Sequence, residues 1–238
     1  MERYPNDMAT RVKRAYDGSR RKAQADSTKE QIVDAAKPLF LERGFEATSM
    51  RQLAEASGVS LQTLYNAFGS KFGVFSALMD VIIAGDHEPV ALADRVEFTT
   101  LDAIEDPREL LRAVVRVAAP ILERLDVIYP TLRAAAASDP EVAEAHQRFT
   151  LDARYEQYRA FGLRLDSLKA LPEGMTAVTA TDILWTVLSP DTYNLLVSHR
   201  RWSRQQFGTW ATDALLATLV GERVPKARRR ARPVERRM

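Results

Sequence analysis

Thr48–Lys71 reads TSMRQLAEASGVSLQTLYNAFGSK, and its spacing predicts two short helices joined by a tight glycine turn. Ser49 with Gln52 three residues on forms a capping box, each side chain satisfying a backbone amide near the other. Met50, Leu53 and Ala54 fall on the inner face of the helix that follows, and Ala54 and Ala56 are small enough for a second helix to cross closely. Gly58 stands where the chain leaves the helix in the left-handed conformation that glycine adopts without a Cβ penalty. Ser60 caps the next helix, in which Val59, Leu64 and Phe68 point inward and Gln62, Thr63, Tyr65 and Asn66 are left outside. Leu61 lies near the outer N-terminal end, fit for a thymine methyl or for packing on its own turn. Gly69 and Ser70 close this helix and cap another, so Lys71 sits in a first turn where its charge and free amides can meet a phosphate. A helix presented in this way suits a DNA groove. The same spacing also occurs inside ordinary helical proteins, where Leu53 and Leu64 would simply be core.

The residues Thr48, Gly58, Val59, Ser60, Thr63, Leu64, Tyr65, Phe68, Ser70 and Lys71 stand in the order found in TetR-type one-component transcriptional regulators, and the stretch resembles that family's signature. Gln31–Thr48 (QIVDAAKPLFLERGFEAT), with Phe40 and the Gly44-Phe45 exit, is similar to the family's first helix. The resemblance covers residues 28 to about 85. It implies an all-α fold, with an N-terminal three-helix helix-turn-helix domain and a larger C-terminal helical domain for ligand binding and dimerisation. It also implies that the helix from Lys71 to about Gly85 transmits ligand state to the recognition helices. Ala67, Leu61 and Phe72 depart from the family's usual residues.

Charge patterning marks the ends of the chain. Of 238 residues 46% are hydrophobic, enough for a folded core, and the net charge is only +2. The tail after Gly221 holds eight basic residues against Glu222 and Glu235, a local +6 that leaves −4 for the rest. Arg11, Lys13, Arg14, Arg20, Arg21 and Lys22 crowd the segment before the first capping signal, Ser27 with Glu30. Such clusters predict a basic flexible arm over 1–26 and a basic disordered tail over 222–238. Between them, 27–85 is expected to be the DNA-binding domain with its linking helix, and 86–221 the effector-binding and dimerisation domain. The absence of cysteine excludes disulfides and thiolate zinc sites. No apolar run reaches the length of a membrane span, so a cytoplasmic protein without a membrane partner is expected.

Helical periodicity continues through the second half. Ile32, Ala35, Ala36, Leu39 and Phe40 make the apolar face of the first helix despite Pro38. Residues 86–100 lack periodicity and read as a connecting loop, with or without a short helix. Asp106-Pro107 starts a helix apolar on most sides to Leu125, and a separate helix is expected near Ile128–Ala137. Asp139-Pro140 starts one reaching toward Leu165 that carries Phe149, Tyr155, Tyr158 and Phe161. That aromatic stripe suits a core, or with Arg116, Tyr129 and His146 an effector pocket, for which Arg116, Tyr129, His146, Phe149 and Tyr155 are the candidates. Ile183, Leu184 and Val187, then Phe207, Trp210, Ala214 and Leu215 on a helix capped by Ser203 and Gln206, form seams needing partners. The resemblance implies a dimer interface there; intramolecular core is the other reading.

Enzyme signatures are missing. There is no G-x-S-x-G elbow, phosphate loop or dinucleotide turn, and GSKFG at 69–73 resembles them only superficially. His87, His146 and His199 are too scattered for a local metal site. No catalytic residue, metal or cofactor is expected. The expected partners are a palindromic double-stranded DNA operator, a second copy of the chain and an unidentified small-molecule effector. Ser49, Ser60, Gln62, Thr63, Tyr65, Asn66 and Lys71 are the DNA-binding candidates, with repression as the default outcome. An activator, a ligand-independent regulator and a helical interaction module with a vestigial DNA-binding part are the alternatives.

Overall fold

The computed structural model describes residues 16–88, 95 and 99–221, with the side chains of 16–19 and 149 left aside. Its elements are α1 (Tyr16–Arg43), α2 (Met50–Ser57), α3 (Leu61–Phe68), α4 (Lys71–Ala84), a 3₁₀ turn (Thr100–Ala103) and α5 (Pro107–Ser138). Then come α6 (Pro140–Ala145), a π-helical stretch (His146–Asp152), α7 (Ala153–Ser167), α8 (Ala177–Val187), α9 (Pro190–Tyr193), a second π-helical stretch (Asn194–His199) and α10 (Arg204–Leu219). No strand occurs among the described residues. The chain divides into two compact units, one of residues 1–43 and 47–78, the other of 44–46 and 79–238. The division falls inside α4, whose part from Met79 onward belongs to the second unit.

In the first unit, α1 and α2–α4 close around Ile32, Ala36, Phe40, Leu53, Leu64, Val74, Phe75 and Leu78, all essentially buried. Phe40 meets Phe75 edge to face at 5.0 Å, a geometry that sets the ring edge of one against the π face of the other. Two expectations change here. Ser27 does not start a helix, because α1 runs unbroken from Tyr16 and the capping signal lies within it; residues 16–26 of the expected arm are helical. Ala56 is exposed, and it is Ala54 with the buried Ser57 that lies at the helix crossing. Residues 1–15 of the arm and 222–238 of the tail lie outside the described residues, as does most of the 86–100 loop.

The second unit is organised on α5. Asp106 accepts the Arg108 amide at 2.8 Å and Pro107 occupies the first turn, where its missing N–H costs nothing. The helix then runs for 32 residues without the break expected between Leu125 and Ile128. Asp126 is polar in the middle of it. Its carboxylate accepts from Asn194 Nδ2 at 2.7 Å and from the Ser198 hydroxyl on the second π-helical stretch, so the polarity serves a tertiary contact. Leu110, Leu111, Val114, Ala118 and Leu122 pack with Leu165, Leu184, Tyr193, Phe207, Ala211 and Leu215 in one core. Arg124, also on α5, donates from Nε to the Ile82 carbonyl at 2.9 Å and from Nη2 to Ile83 at 2.7 Å, satisfying acceptors orphaned at the end of α4.

Helices α7 and α8 meet at Gly162. A Cβ there would lie 2.3 Å from Thr181 Oγ1 and 2.7 Å from the Ala177 carbonyl, so only glycine allows the two helices this approach. Helix propensity alone favours alanine over glycine by about 1 kcal/mol. Gly162→Ala is nonetheless expected to destabilise the chain by about 1–2 kcal/mol net, because overpacking outweighs that gain. Urea unfolding of the two proteins side by side measures it.

Candidate functional site

The geometry of the helix pair starts from its turn. Gly58 adopts φ +67°, and its amide returns to the carbonyls of Ala54 and Glu55. The Val59 amide donates to Ala54 O at 3.1 Å, so the orphan acceptors of α2 are used within the turn itself. Gln31 Nε2 on α1 donates to the Ser57 carbonyl at 2.7 Å, tying the turn to the preceding helix. Leu64 drops into the core with 0% exposure and fixes the rotation of α3. The opposite face must then be outward: Gln62, Thr63 and Asn66 are exposed, with Tyr65 at 45% and Leu61 at 43%.

Those outward side chains are held in place. Ser60 caps α3 by accepting the Thr63 amide at 3.0 Å, and the two hydroxyls lie 2.7 Å apart. Gln62 Nε2 donates to Asn66 Oδ1 at 2.8 Å, one turn along. Each amide keeps further donors and acceptors free for base edges, and pre-ordering the pair lowers the entropy lost on contact. Leu61 and Tyr65, also one turn apart, form an apolar stripe beside it. Ser49 completes the capping box of α2, accepting from the Gln52 amide at 3.3 Å while Gln52 Oε1 accepts from the Ser49 amide at 2.9 Å.

One contributor escaped the sequence reading. Helix α4 leaves α3 at 64°, with Ser70 Oγ accepting the Gly73 amide at 3.1 Å. A Cβ on Gly73 would come within 2.1 Å of the Phe68 carbonyl oxygen, so the glycine dismissed as part of a spurious phosphate-loop pattern is what permits the sharp junction. Lys71, half-buried, occupies the first position of α4 beside it.

Residues 32–78 match the family model described as "Bacterial regulatory proteins, tetR family". Over those residues the chain is that of a TetR-type regulator. It is 27% identical over 160 residues to the transcriptional repressor BdcR of Escherichia coli K12, covering 67% of this chain and 75% of that one. It is 41% identical over 63 residues to the repressor ComR of the same organism, where the match spans 25% of this chain and 30% of the relative. Among solved structures, SmeT, the repressor of a Stenotrophomonas maltophilia multidrug efflux pump, superposes with a TM-score of 0.60 at 23% identity, covering 81% of this chain and 90% of SmeT. The all-helical architecture is that of TetR-type neighbours. The family is one of transcriptional regulators rather than enzymes.

The second unit contains a partly open cavity of about 450 Å³. None of the five effector candidates has its side chain on the wall that the structure describes. Arg116 is exposed and pairs with Glu109 at 3.3 Å. Tyr129 is buried and donates to Asp191 at 2.8 Å; burial, with that hydrogen bond second, pushes its hydroxyl up to about 12 and keeps it a neutral donor. His146 packs against the Tyr129 ring, with its own pKa drawn down by burial. Tyr155 donates to Asp182 and meets Trp185 edge to face. The side chain of Phe149 lies outside the described residues. The wall carries the other members of the aromatic stripe, Tyr158 and Phe161, with Arg154 and Gln157 between. Tyr155, although three residues from Tyr158, is drawn aside by its contacts with Asp182 and Trp185 on α8.

The dimer candidates also divide. Leu184, Phe207 and Leu215 are fully buried within one chain and have no surface to offer a partner. Ile183, Val187, Trp210 and Ala214 keep part of theirs. Trp210 and Ala214 line an open groove on α10 with Trp202 and Ala217, and the Trp202 and Trp210 rings meet edge to face at 6.1 Å. No single helix among the described residues is long and apolar enough to cross a membrane.

The junction yields a prediction. Gly73→Ala is expected to lower stability by about 2 kcal/mol or more, because the clash is with backbone that cannot rotate away. A Ser60→Ala change should cost about 1 kcal/mol, the usual worth of an N-cap. Thermal melts of both variants against the parent chain check the order.

Proposed function

We propose that this TetR-type chain is a homodimeric DNA-binding repressor, released from a palindromic operator when a small molecule enters the second unit. The carrying observation is α3: its rotation is locked by buried Leu64, while Gln62, Thr63, Tyr65 and Asn66 stand outward. Ser49, Ser60 and Lys71, each at the start of a helix, supply phosphate contacts with the amides around them. BdcR, ComR and SmeT are each named as repressors, which supports repression over activation. Two recognition helices related by a two-fold axis would meet successive turns of one groove face, and the α10 groove with its two tryptophans is the surface that would pair.

Release follows from differential affinity. A ligand shifts the equilibrium only by preferring one conformation, and about 5.5 kcal/mol of preference takes a population from 1:99 to 99:1. SmeT has been solved with triclosan, which supports an effector in the cavity that α5 and α7 line here. Because α4 is unbroken from Lys71 to Ala84, it is the element through which a change at the cavity would reach the start of the DNA-binding face.

Selection of bound DNA from a random pool should return a two-fold symmetric sequence. Tyr65→Ala should weaken binding to it about tenfold or more, while the melting temperature holds because the ring is largely in solvent. Trp210→Glu should give monomers in sedimentation velocity and lose the symmetric site. Selection of no sequence above background, or a Trp210→Glu protein that remains dimeric, would overturn the corresponding half of the proposal.

A further inference from the structure

The cavity of the second unit is lopsided in chemistry. From α5 it receives Val114, Val117, Ala118, Ile121, Leu122 and Leu125, a wholly apolar wall. Thr150, Arg154, Gln157 and Tyr158 bring polar atoms to the other side, and among the described residues neither Asp nor Glu occurs on the lining. Arg154 is the one charged side chain among the described lining residues.

Arg154 is anchored but not neutralised. Its Nε donates to the Thr150 carbonyl at 3.1 Å, and Nη1 donates to Trp185 O at 2.8 Å and Leu188 O at 3.3 Å. The guanidinium lies 4.8 Å from the Trp185 ring centre and 5.8 Å from that of Tyr158. The carbonyls end α8 and carry only the partial negative charge of a helix C-terminus. Among the described residues Arg154 makes no ion pair with a carboxylate: Asp191 acts on it only through space, and its side-chain hydrogen-bond partner is the neutral Tyr158 hydroxyl. Gln157, one turn along α7 from Ala153, has no hydrogen bond within the described protein. A cation and a free carboxamide beside an apolar space carry a desolvation cost that an incoming anion would relieve.

We propose that the cavity binds an apolar molecule bearing a single carboxylate-like anion, its anionic end on Arg154 and Gln157 and its apolar body along α5. This deepens the effector reading and rests on it for its biological meaning, though not for its chemistry. Cationic amphiphiles are disfavoured because no acidic residue is among the described lining, and neutral ones leave the guanidinium without an anionic partner. Thr150 and Tyr158 add hydroxyls at the same end.

The test is calorimetric titration of the full chain with decanoate, decanol and decylammonium below their micelle concentrations. Decanoate is expected to bind at least about tenfold tighter than decanol, the usual worth of a charge-assisted hydrogen bond, and decylammonium not detectably. Arg154→Met should erase the preference for decanoate over decanol while leaving decanol within about threefold, a selectivity change that loss of a purely structural anchor would not produce. If that variant does not fold, Gln157→Leu replaces it and should narrow the preference, and the comparison in the unaltered chain decides by itself. Equal affinity for all three probes, or tighter binding of decanol or decylammonium, would overturn the proposal. Selective decanoate binding that leaves operator affinity unchanged would uphold the cavity chemistry and overturn the effector reading alone.

Discussion

Burial of Leu64 fixes what the first unit can present. Once that side chain is in the core, the helical period turns Gln62, Thr63, Tyr65 and Asn66 outward together, and no separate interaction is needed to aim them. The turn at Gly58 makes the burial possible, by reversing the chain in a left-handed conformation whose free amides return to α2. Gln31 then locks the turn from α1. Propensity contributes little to helices of eight residues, which are too short to persist alone in water. Their order comes from capping at Ser49 and Ser60 and from the shared core.

The second unit solves a different problem. A helix of 32 residues containing Pro120 and Pro130 needs support along its length, and neighbours supply it along the buried face from Leu110 to Ala135. Asp126 is tied to the second π-helical stretch, Glu123 to Arg204 at the start of α10, and Tyr129 with Arg133 to Asp191 on α9. The pairs near the surface contribute about 1 kcal/mol or less each, so apolar packing of Leu110 to Leu132 carries the stability and the polar ties fix rotation. The cavity survives inside this arrangement because π-helical geometry and Gly162 set α7 against α8 and leave the space beside α5 unfilled.

Local signals were the legible ones. Capping boxes at Ser49 and Ser203, the left-handed Gly58, the proline starts at Pro107, Pro140 and Pro190 and the inward position of Leu64 could all be read from neighbours a few residues apart. Signals whose meaning depends on distant partners were not. Ile128–Ala137 reads as a separate helix until α5 is seen to run through it, and Ser27 resembles a cap until α1 is seen to continue past it. Leu184, Phe207 and Leu215 have the periodicity of an interface, but periodicity cannot tell a fold's own core from a second copy. Gly73 gave no signal because its role is the absence of an atom near a carbonyl of another helix. Gln62, Thr63, Tyr65 and Asn66 lie on one local helix, whereas the cavity is assembled from segments far apart in the chain.

The fork that Arg124 places on the end of α4 addresses backbone oxygens, not side chains. Ile83, whose carbonyl is one of those acceptors, also contributes its side chain to the cavity wall. The residue at that position can therefore change its side chain while the carbonyl beneath it stays gripped. The shape of the chamber and the anchorage of the rod that borders it rest on different atoms of one residue, so either can vary without the other.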